Sequence, residues 1–119
     1  MRVVSLFSGA GGLDLGLIQA GHNIVWANDF DADCVKTYRQ NIGDHIVLGS
    51  IEDIPSRGIP DADVVVGGFP CQGFSQANLL RLEDDERNRL YLEFFRIIKD
   101  KQPKWFLAEM SDVNAYGSK

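Results

Sequence analysis

The residue with the clearest capacity for chemistry is Cys71, a thiol in a short segment rich in glycine and proline. It comes shortly after an apolar run, residues 64–66, that is typical of a buried parallel strand. Open α/β sheets bind their ligands at the carboxyl ends of such strands. Pro70 fixes a backbone angle directly before the thiol, and Gly68 and Gly73 allow the chain to bend and a substrate to approach. This pattern favours an accessible nucleophile over a packed structural cysteine.

A second group of residues has the spacing of a cofactor-binding turn. Gly9, Gly11 and Gly12 follow an apolar run and open a predicted helix, where glycines allow a ligand to approach the backbone closely. Asp29 follows about 20 residues later at the end of the next predicted strand, where an acid can accept both ribose hydroxyls. Asp14 stands where the dinucleotide motif has its third glycine, and an acid there would lie badly beside a pyrophosphate. The combination predicts a nucleoside cofactor without phosphate, such as S-adenosylmethionine.

The composition limits the classes of protein that fit. The chain has 119 residues, 45% of them hydrophobic and 24% charged, which is ordinary for one globular domain. Cys34 and Cys71 lie in different predicted elements without metal-binding spacing, so we expect neither a disulfide nor a metal site. Neither a leader peptide nor a membrane-spanning run is predicted, and we expect a cytoplasmic location. The net charge of −5 disfavours a protein that holds a polyanion unaided.

The elements that must position these residues alternate between strand and helix. Five strands are predicted at residues 3–7, 24–27, 45–48, 63–66 and 104–109. One helix is predicted from the glycine turn to Gly21, a second from the N-cap Asp31 to Gly43, and a third over residues 85–101, with Arg96 among its outward-facing residues. Residues 51–60 contain too many prolines and glycines for a long helix. This alternation predicts a doubly wound, mostly parallel α/β sheet.

Two segments together resemble the DNA (cytosine-5)-methyltransferase family. They are LFSGAGGL at residues 6–13 and FPCQGFS at residues 69–75, and the resemblance extends over residues 3–109. It implies the Rossmann-like fold of S-adenosylmethionine-dependent methyltransferases, truncated after about five strands. Residues 1–119 would then form a partial catalytic domain without a target-recognition domain. Glu109 matches the acid of the family's Glu-Asn-Val motif, although Met110 and Ser111 replace the other two residues.

The resemblance also implies roles for individual residues. Cys71 would add to cytosine as the nucleophile, and Glu109 would interact with ring atom N3. Gln72 and Ser75 would contact the DNA or the target base. Ser50 stands where the family commonly has an acid that binds the adenine amino group, so we expect a weaker contact there. The residues implied for the S-adenosylmethionine site are Phe7, Gly9, Gly11, Gly12, Asp29, Phe30, Ser50, Ile51, Pro70 and Leu90.

A reaction and its partners follow from the same resemblance. The chain would transfer a methyl group from S-adenosylmethionine to C5 of cytosine in DNA, as modification enzymes of restriction–modification systems do. In the family, the elements that bind DNA follow the strand that bears the glutamate. We therefore expect this chain to be inactive without them, or without a complementing polypeptide that supplies them. We also expect the edge of the fifth strand to self-associate.

Two other functions remain open from the sequence. One is an RNA or tRNA cytosine methyltransferase of related fold, since substrate choice lies outside this sequence. The other is a non-catalytic module that binds a nucleotide cofactor such as NAD, in which Cys71 has no chemical role. Binding of S-adenosylhomocysteine compared with NAD separates the methyltransferases from the module.

Overall fold

The computed structural model of the protein describes residues 1–70 and 86–111, and for residues 69–70, 86–88 and 110–111 it describes the backbone alone. The chain alternates between strand and helix as predicted. Its elements are β1 (Arg2–Leu6), α1 (Gly12–Gln19), β2 (Asn23–Asp29), α2 (Ala32–Asn41), β3 (Ile46–Leu48), β4 (Val64–Pro70), α3 (Glu86–Lys101) and β5 (Trp105–Ser111). Between β3 and β4 the chain forms two short 3₁₀ turns, Ile51–Asp53 and Ser56–Gly58. The prediction that this connection contains no long helix is confirmed.

The five strands form one parallel sheet in the order β3-β2-β1-β4-β5. The chain begins in the centre of the sheet, moves outward through β2 and β3, and then crosses over to β4 on the other side of β1. The strand order therefore reverses between β1 and β4, and such a switch point is where doubly wound sheets bind ligands. The predicted fold class is confirmed.

Apolar side chains cover both faces of the sheet. One face packs against α1 and α2, and the other packs against α3 and the connection between β3 and β4. The first cluster consists of Val3, Ile24, Ala27, Val35, Tyr38, Ile46 and Val66, and the second of Val4, Leu6, Ile51, Ile59, Val65, Phe94 and Ile97. Consecutive residues of β1 and β4, such as Val3 and Val4 or Val65 and Val66, belong to different clusters, as the two-residue period of a strand requires. None of the helices in the described part of the chain has the length and hydrophobicity needed to span a bilayer.

Strand β4 is longer than the sequence predicts. The predicted end of this strand at residue 66 is wrong, because Gly67 and Gly68 continue the strand and pair with Ala108 and Glu109 of β5. The pairing extends to Pro70, which lies opposite Ser111. Glycine adopts the extended conformation freely, and a proline at the last position of a strand leaves the preceding ladder intact. As a result, Cys71 follows directly on the carboxyl end of β4.

Arg96 was expected to face solvent, and this expectation is also wrong. Its guanidinium group donates hydrogen bonds to the carbonyl oxygens of Ile51 and Ile54, each at 3.0 Å, and to Oγ of Ser56 at 2.9 Å. These carbonyls belong to the irregular connection after β3, where no strand supplies partners for the backbone. Arg96 therefore attaches the connection to α3, and the long side chain reaches a contact that helical spacing alone does not indicate.

The outer strand β5 exposes apolar side chains on both of its faces. Trp105, Phe106 and Leu107 are 63%, 56% and 46% exposed, although consecutive residues of a strand point to opposite sides of the sheet. Among the described residues, β4 is the one strand that pairs with β5. The second edge of β5 and its flanking side chains thus form an uncovered apolar surface.

Candidate active site

Four of the predicted site segments meet at the carboxyl edge of the sheet. The glycine turn follows β1, Asp29 ends β2, Pro70 ends β4, and Glu109 lies near the end of β5. The register aligns them, since Leu6 lies beside both Asn28 and Gly67. Gly68 in turn lies beside Glu109. The sheet therefore brings together residues that are widely separated in the sequence, at the edge where ligands bind in this fold.

The glycine turn presents its backbone to open space. A β-carbon added at Gly9 or Gly12 would find no atom within 4 Å, so a ligand can approach the chain there. Gly9 has a φ of 58°, which is a left-handed conformation that side chains disfavour. The turn closes through a hydrogen bond of 3.1 Å from the Gly11 amide to the Ser8 carbonyl. Phe7, directly before the turn, also has a positive φ of 54°, which is rare for an aromatic residue.

Asp29 ties the glycine turn to the end of β2. Its Oδ2 accepts a hydrogen bond of 2.8 Å from the Gly9 amide, and its Oδ1 accepts one of 2.9 Å from the Asp31 amide. Asp29 as a whole is 7% exposed. Each oxygen can accept a second hydrogen bond, so the pair can still receive two ribose hydroxyls. The sequence indicates the acid but not its bond to Gly9. The predicted N-cap of α2 is confirmed, because Asp31 accepts from the amides of Asp33 and Cys34.

The next segment of the edge lies after β3. Asn28, which is buried, donates hydrogen bonds of 2.9 Å to the carbonyls of Val47 and Gly49 and so fixes the end of β3 beside β2. Asn28 is not among the predicted site residues, although its place before Asp29 at a strand end is a signal for such a role. Ser50 caps the first 3₁₀ turn by accepting from the Glu52 amide at 3.3 Å. The Phe30 ring is 65% exposed, which leaves a broad aromatic face beside this edge.

For the remaining predicted site residues, the structure describes the whole residue in some cases, the backbone alone in one case, and nothing in others. Ile51 is buried in the apolar cluster beneath α3, and Leu90 packs at its margin, half-buried. Glu109 is exposed at the carboxyl edge. Pro70 is the last residue of β4, with its backbone alone described. Cys71, Gln72 and Ser75 lie outside the described residues, and their roles stay predictions.

Two buried polar side chains beneath the turn were not predicted as a pair. Asp14 is buried in the first turn of α1, and burial raises its pKa, although hydrogen bonds from Ser5 and Tyr38 and the charge of His45 act in the opposite direction. The pKa of Tyr38 is also raised, by burial first and then by its hydrogen bond to Asp14. The sequence singles out Asp14 by its place in the glycine motif, but only the fold shows that its carboxylate accepts a hydrogen bond from Tyr38.

The second cysteine, Cys34, is a poor nucleophile, and this leads to a prediction. Burial raises its pKa first, and the negative charges of Asp29, Asp31 and Asp33 raise it further. A raised pKa leaves less thiolate near neutral pH, and the thiolate is the reactive form. We expect iodoacetamide to alkylate Cys34 several-fold more slowly than Cys71, as followed by peptide mass mapping under native conditions. Asp33→Asn should accelerate the labelling of Cys34, and labelling of Cys34 before Cys71 would contradict the prediction.

The strand order, the glycine turn after the central strand and the acid at the end of its neighbour define the fold of S-adenosylmethionine-dependent methyltransferases. Solved structures agree. A protein of an E. coli prophage described as a DNA modification methyltransferase superposes with a TM-score of 0.77 and 33% identity, over 96% of this chain and 33% of that protein. The Dnmt2 methyltransferase of S. pombe has the same fold, with a TM-score of 0.74 and 23% identity over 95% of this chain and 37% of its own.

The chain belongs to the family described as C-5 cytosine-specific DNA methylase, whose sequence profile matches residues 1–112. The type II methyltransferase M.NgoFVII of Neisseria gonorrhoeae is 50% identical over 110 residues, which are 91% of this chain and 29% of that protein. M.FnuDI of Fusobacterium nucleatum is 47% identical over 109 residues, which are 92% of this chain and 32% of that protein. The chain thus spans about a third of the length of these relatives, and the predicted family is confirmed.

Proposed function

We propose that this chain is the part of a DNA (cytosine-5)-methyltransferase that binds S-adenosylmethionine and carries the nucleophile Cys71. The observation that supports the proposal best is the meeting of the glycine turn, Asp29, the end of β4 and Glu109 at one edge of the sheet. A methyl donor and an acceptor base must lie side by side. At this edge the glycine turn and Asp29 are the candidate residues for the donor, and the end of β4 and Glu109 are those for the base. The proposed domain spans residues 1–119.

The residues present fit S-adenosylmethionine. The open backbone at Gly9 and Gly12 leaves room for the amino-acid part of the cofactor, and the Asp29 carboxylate retains acceptors for the ribose hydroxyls. The exposed Phe30 ring offers a face on which the adenine can pack. When bound, the cofactor supplies an electrophilic methyl group. The turn, Asp29 and Phe30 would hold it at the same sheet edge as the end of β4.

Cys71 would make carbon C5 of cytosine reactive. The thiolate adds to C6, and the electron pair of the C5–C6 double bond makes C5 a nucleophile, so that covalent catalysis divides one difficult step into easier ones. Glu109, next to Gly68 on the neighbouring strand, would act as a carboxylic acid that donates its proton toward N3 and so stabilises the negative charge that the addition places on the ring. C5 would then bond to the methyl carbon as the bond from that carbon to sulfur breaks, with S-adenosylhomocysteine as the leaving group. Loss of the C5 proton to a base and elimination of the thiolate would restore the aromatic ring. The target base must leave the duplex, at a cost of a few kcal/mol.

The experiment that tests the proposed function uses a hybrid protein. In this hybrid, residues 1–109 of the chain precede the corresponding remainder of the M.NgoFVII sequence. We expect the hybrid to produce 5-methylcytosine in DNA, as detected by mass spectrometry of the released nucleosides. Methylation of adenine, or of the cytosine amino group, would overturn the proposed chemistry. Formation of 5-methylcytosine in RNA but not in DNA would favour the RNA methyltransferase instead.

The 119-residue chain by itself should neither methylate DNA nor bind it at physiological salt. It has 12 basic and 17 acidic residues, so its net negative charge repels a polyanion, whereas DNA binding depends on neutralising phosphates. Filter binding and transfer of a tritiated methyl group measure both properties, with the hybrid as the positive control. Methylation by the purified chain at a rate near that of the hybrid would contradict this prediction.

We further propose that the isolated chain self-associates through β5. Within residues 1–70 and 86–111, the outer edge of this strand pairs with no other strand and can receive a second copy, and Trp105, Phe106 and Leu107 add exposed apolar surface on both faces. We expect light scattering to show a mass that increases with concentration. Phe106→Lys should raise the concentration at which half of the chains are associated by at least about 10-fold, since a charge at a strand edge opposes pairing. Val47→Lys, on the opposite edge strand, is the matched control. A monomer over the whole concentration range would mean that the surface is covered.

A further inference from the structure

The buried carboxylate of Asp14 lies beneath the glycine turn and holds two hydrogen bonds. The side chain is 1% exposed, and a buried carboxylate without partners is costly. Ser5 donates its hydroxyl proton to Oδ1 at 2.6 Å, and Tyr38 donates to Oδ2 at 2.5 Å. Asp14 therefore connects the central strand β1 with helix α2 directly under the turn, although it has no open path to a ligand.

Tyr38 also supports the turn with its ring. A β-carbon at Gly11 would lie 2.8 Å from Cδ2 of Tyr38 and 2.1 Å from Cδ1 of Ile42, so both side chains would have to shift to admit it. Gly11 has a φ of 99°, so glycine is required there for its conformation as well. The ring thus forms the floor on which the turn rests. His45 completes this side, because its Nε2 lies 2.8 Å from the Tyr38 hydroxyl, whose own proton is donated to Asp14.

On the other side the network reaches the first residue of the turn. Ser8 Oγ lies 2.9 Å from Ser5 Oγ and 3.1 Å from the Ser5 carbonyl oxygen. Because the Ser5 proton is donated to Asp14, the Ser8 hydroxyl is the donor toward Ser5. The Ser8 amide in turn donates to the Asn28 carbonyl at 3.0 Å. A continuous set of hydrogen bonds therefore runs from Tyr38 through Asp14 and Ser5 to Ser8.

We propose that Asp14 and Tyr38 are positioning residues for the cofactor turn, holding residues 8–12 in the conformation that presents the Gly9 and Gly12 backbone to S-adenosylmethionine. Neither residue touches the ligand. The proposal rests on the proposed function for the identity of the ligand, but the geometry of the turn can be tested without any ligand. Affinity for the cofactor then depends on a hydroxyl and a carboxylate on the far side of the turn.

Tyr38→Phe is the decisive variant, because it keeps the ring under Gly11 and removes the hydroxyl. In the 119-residue chain we expect hydrogen exchange, followed by mass spectrometry, to become about 10-fold faster in the peptide that spans the turn, while peptides from β4 remain unchanged. The affinity for S-adenosylhomocysteine should fall by about 10-fold. Asp14→Asn should act similarly, and the double variant should lose less than the product of the two effects, because both break the same bond.

Tyr91→Phe is the matched control, since Tyr91 packs on the opposite face of the sheet. Unchanged exchange of the turn in Tyr38→Phe, or exchange that accelerates equally in all peptides, would overturn the positioning role. Unchanged S-adenosylhomocysteine affinity in Tyr38→Phe, with normal binding by the parent chain, would overturn it as well. If the parent chain and the hybrid fail to bind S-adenosylhomocysteine while the turn still depends on Tyr38, the proposed function alone is wrong.

Discussion

Replacing Cys71 by serine in the hybrid should abolish its covalent adduct with DNA that carries 5-fluorocytosine. Fluorine at C5 cannot leave as a proton does, so an enzyme that adds a thiolate at C6 becomes trapped after methyl transfer. The hybrid with Cys71 should form a covalent complex with this DNA that survives denaturing conditions and whose mass is that of the protein plus the DNA strand. Methyl transfer to ordinary DNA should fall at least about 10⁴-fold in the variant, as expected for loss of a nucleophile.

Cys34→Ser is the matched control for this result. The raised pKa of Cys34 makes it a poor nucleophile, and removing it should leave both the adduct and the methylation rate unchanged. The Cys71 variant should also bind S-adenosylhomocysteine normally, which shows that the fold is intact. An adduct that persists without Cys71, or that maps to Cys34, would remove Cys71 from the mechanism.

Asp29→Ala should weaken the binding of S-adenosylhomocysteine more than the loss of any other acid. Hydrogen bonds between a charged group and the ribose are lost, and a loss of about 1.5–3 kcal/mol, the usual value for one hydrogen bond to a charged group, corresponds to roughly a 10- to 150-fold increase in Kd. Asp31→Ala is the control, since that acid caps α2 two residues away and does not contact the turn. Fluorescence competition with the hybrid measures both variants.

Because Asp29 also accepts a hydrogen bond from Gly9, its direct contact with the ribose needs a separate test. A 2′-deoxy analogue of S-adenosylhomocysteine lacks one ribose hydroxyl. The parent hybrid should bind the analogue more weakly than the natural ligand, whereas Asp29→Ala should bind the two about equally. An equal preference for the natural ligand in both proteins would refute the ribose contact and leave Asp29 with the turn alone.

Much of the fold could be predicted from local patterns. Short apolar runs marked each strand, and the Asp31 cap and the residues that end each helix set boundaries within a few positions. What the sequence did not show depends on distant partners. Strand β4 continues through Gly67 and Gly68 because β5 pairs with it, and Arg96 turns inward because unpaired carbonyls lie within its reach.

In the candidate site, too, residues with a local sequence signal could be predicted, whereas contacts between distant residues could not. Gly9, Gly11 and Asp29 could be identified from type and spacing, because a left-handed turn and an acid at a strand end leave a local signature. The residues that hold the turn from beneath could not be identified in this way. The burial of Asp14 against Tyr38 joins residues of two helices, and no local pattern requires that contact. Gly11 is needed partly for the Tyr38 ring beneath it, in addition to any ligand above it.

Isothermal titration calorimetry of the hybrid with S-adenosylhomocysteine and with NAD tests most directly whether the glycine turn and Asp29 form a methyltransferase cofactor site. We expect S-adenosylhomocysteine to bind with one site per chain and NAD to produce no measurable heat. The open backbone of the turn and the Asp29 carboxylate suit a nucleoside, whereas Asp14 is buried beneath the turn and takes no direct part in this choice. Binding of NAD, or failure of S-adenosylhomocysteine to bind, would contradict the assignment of this edge of the sheet.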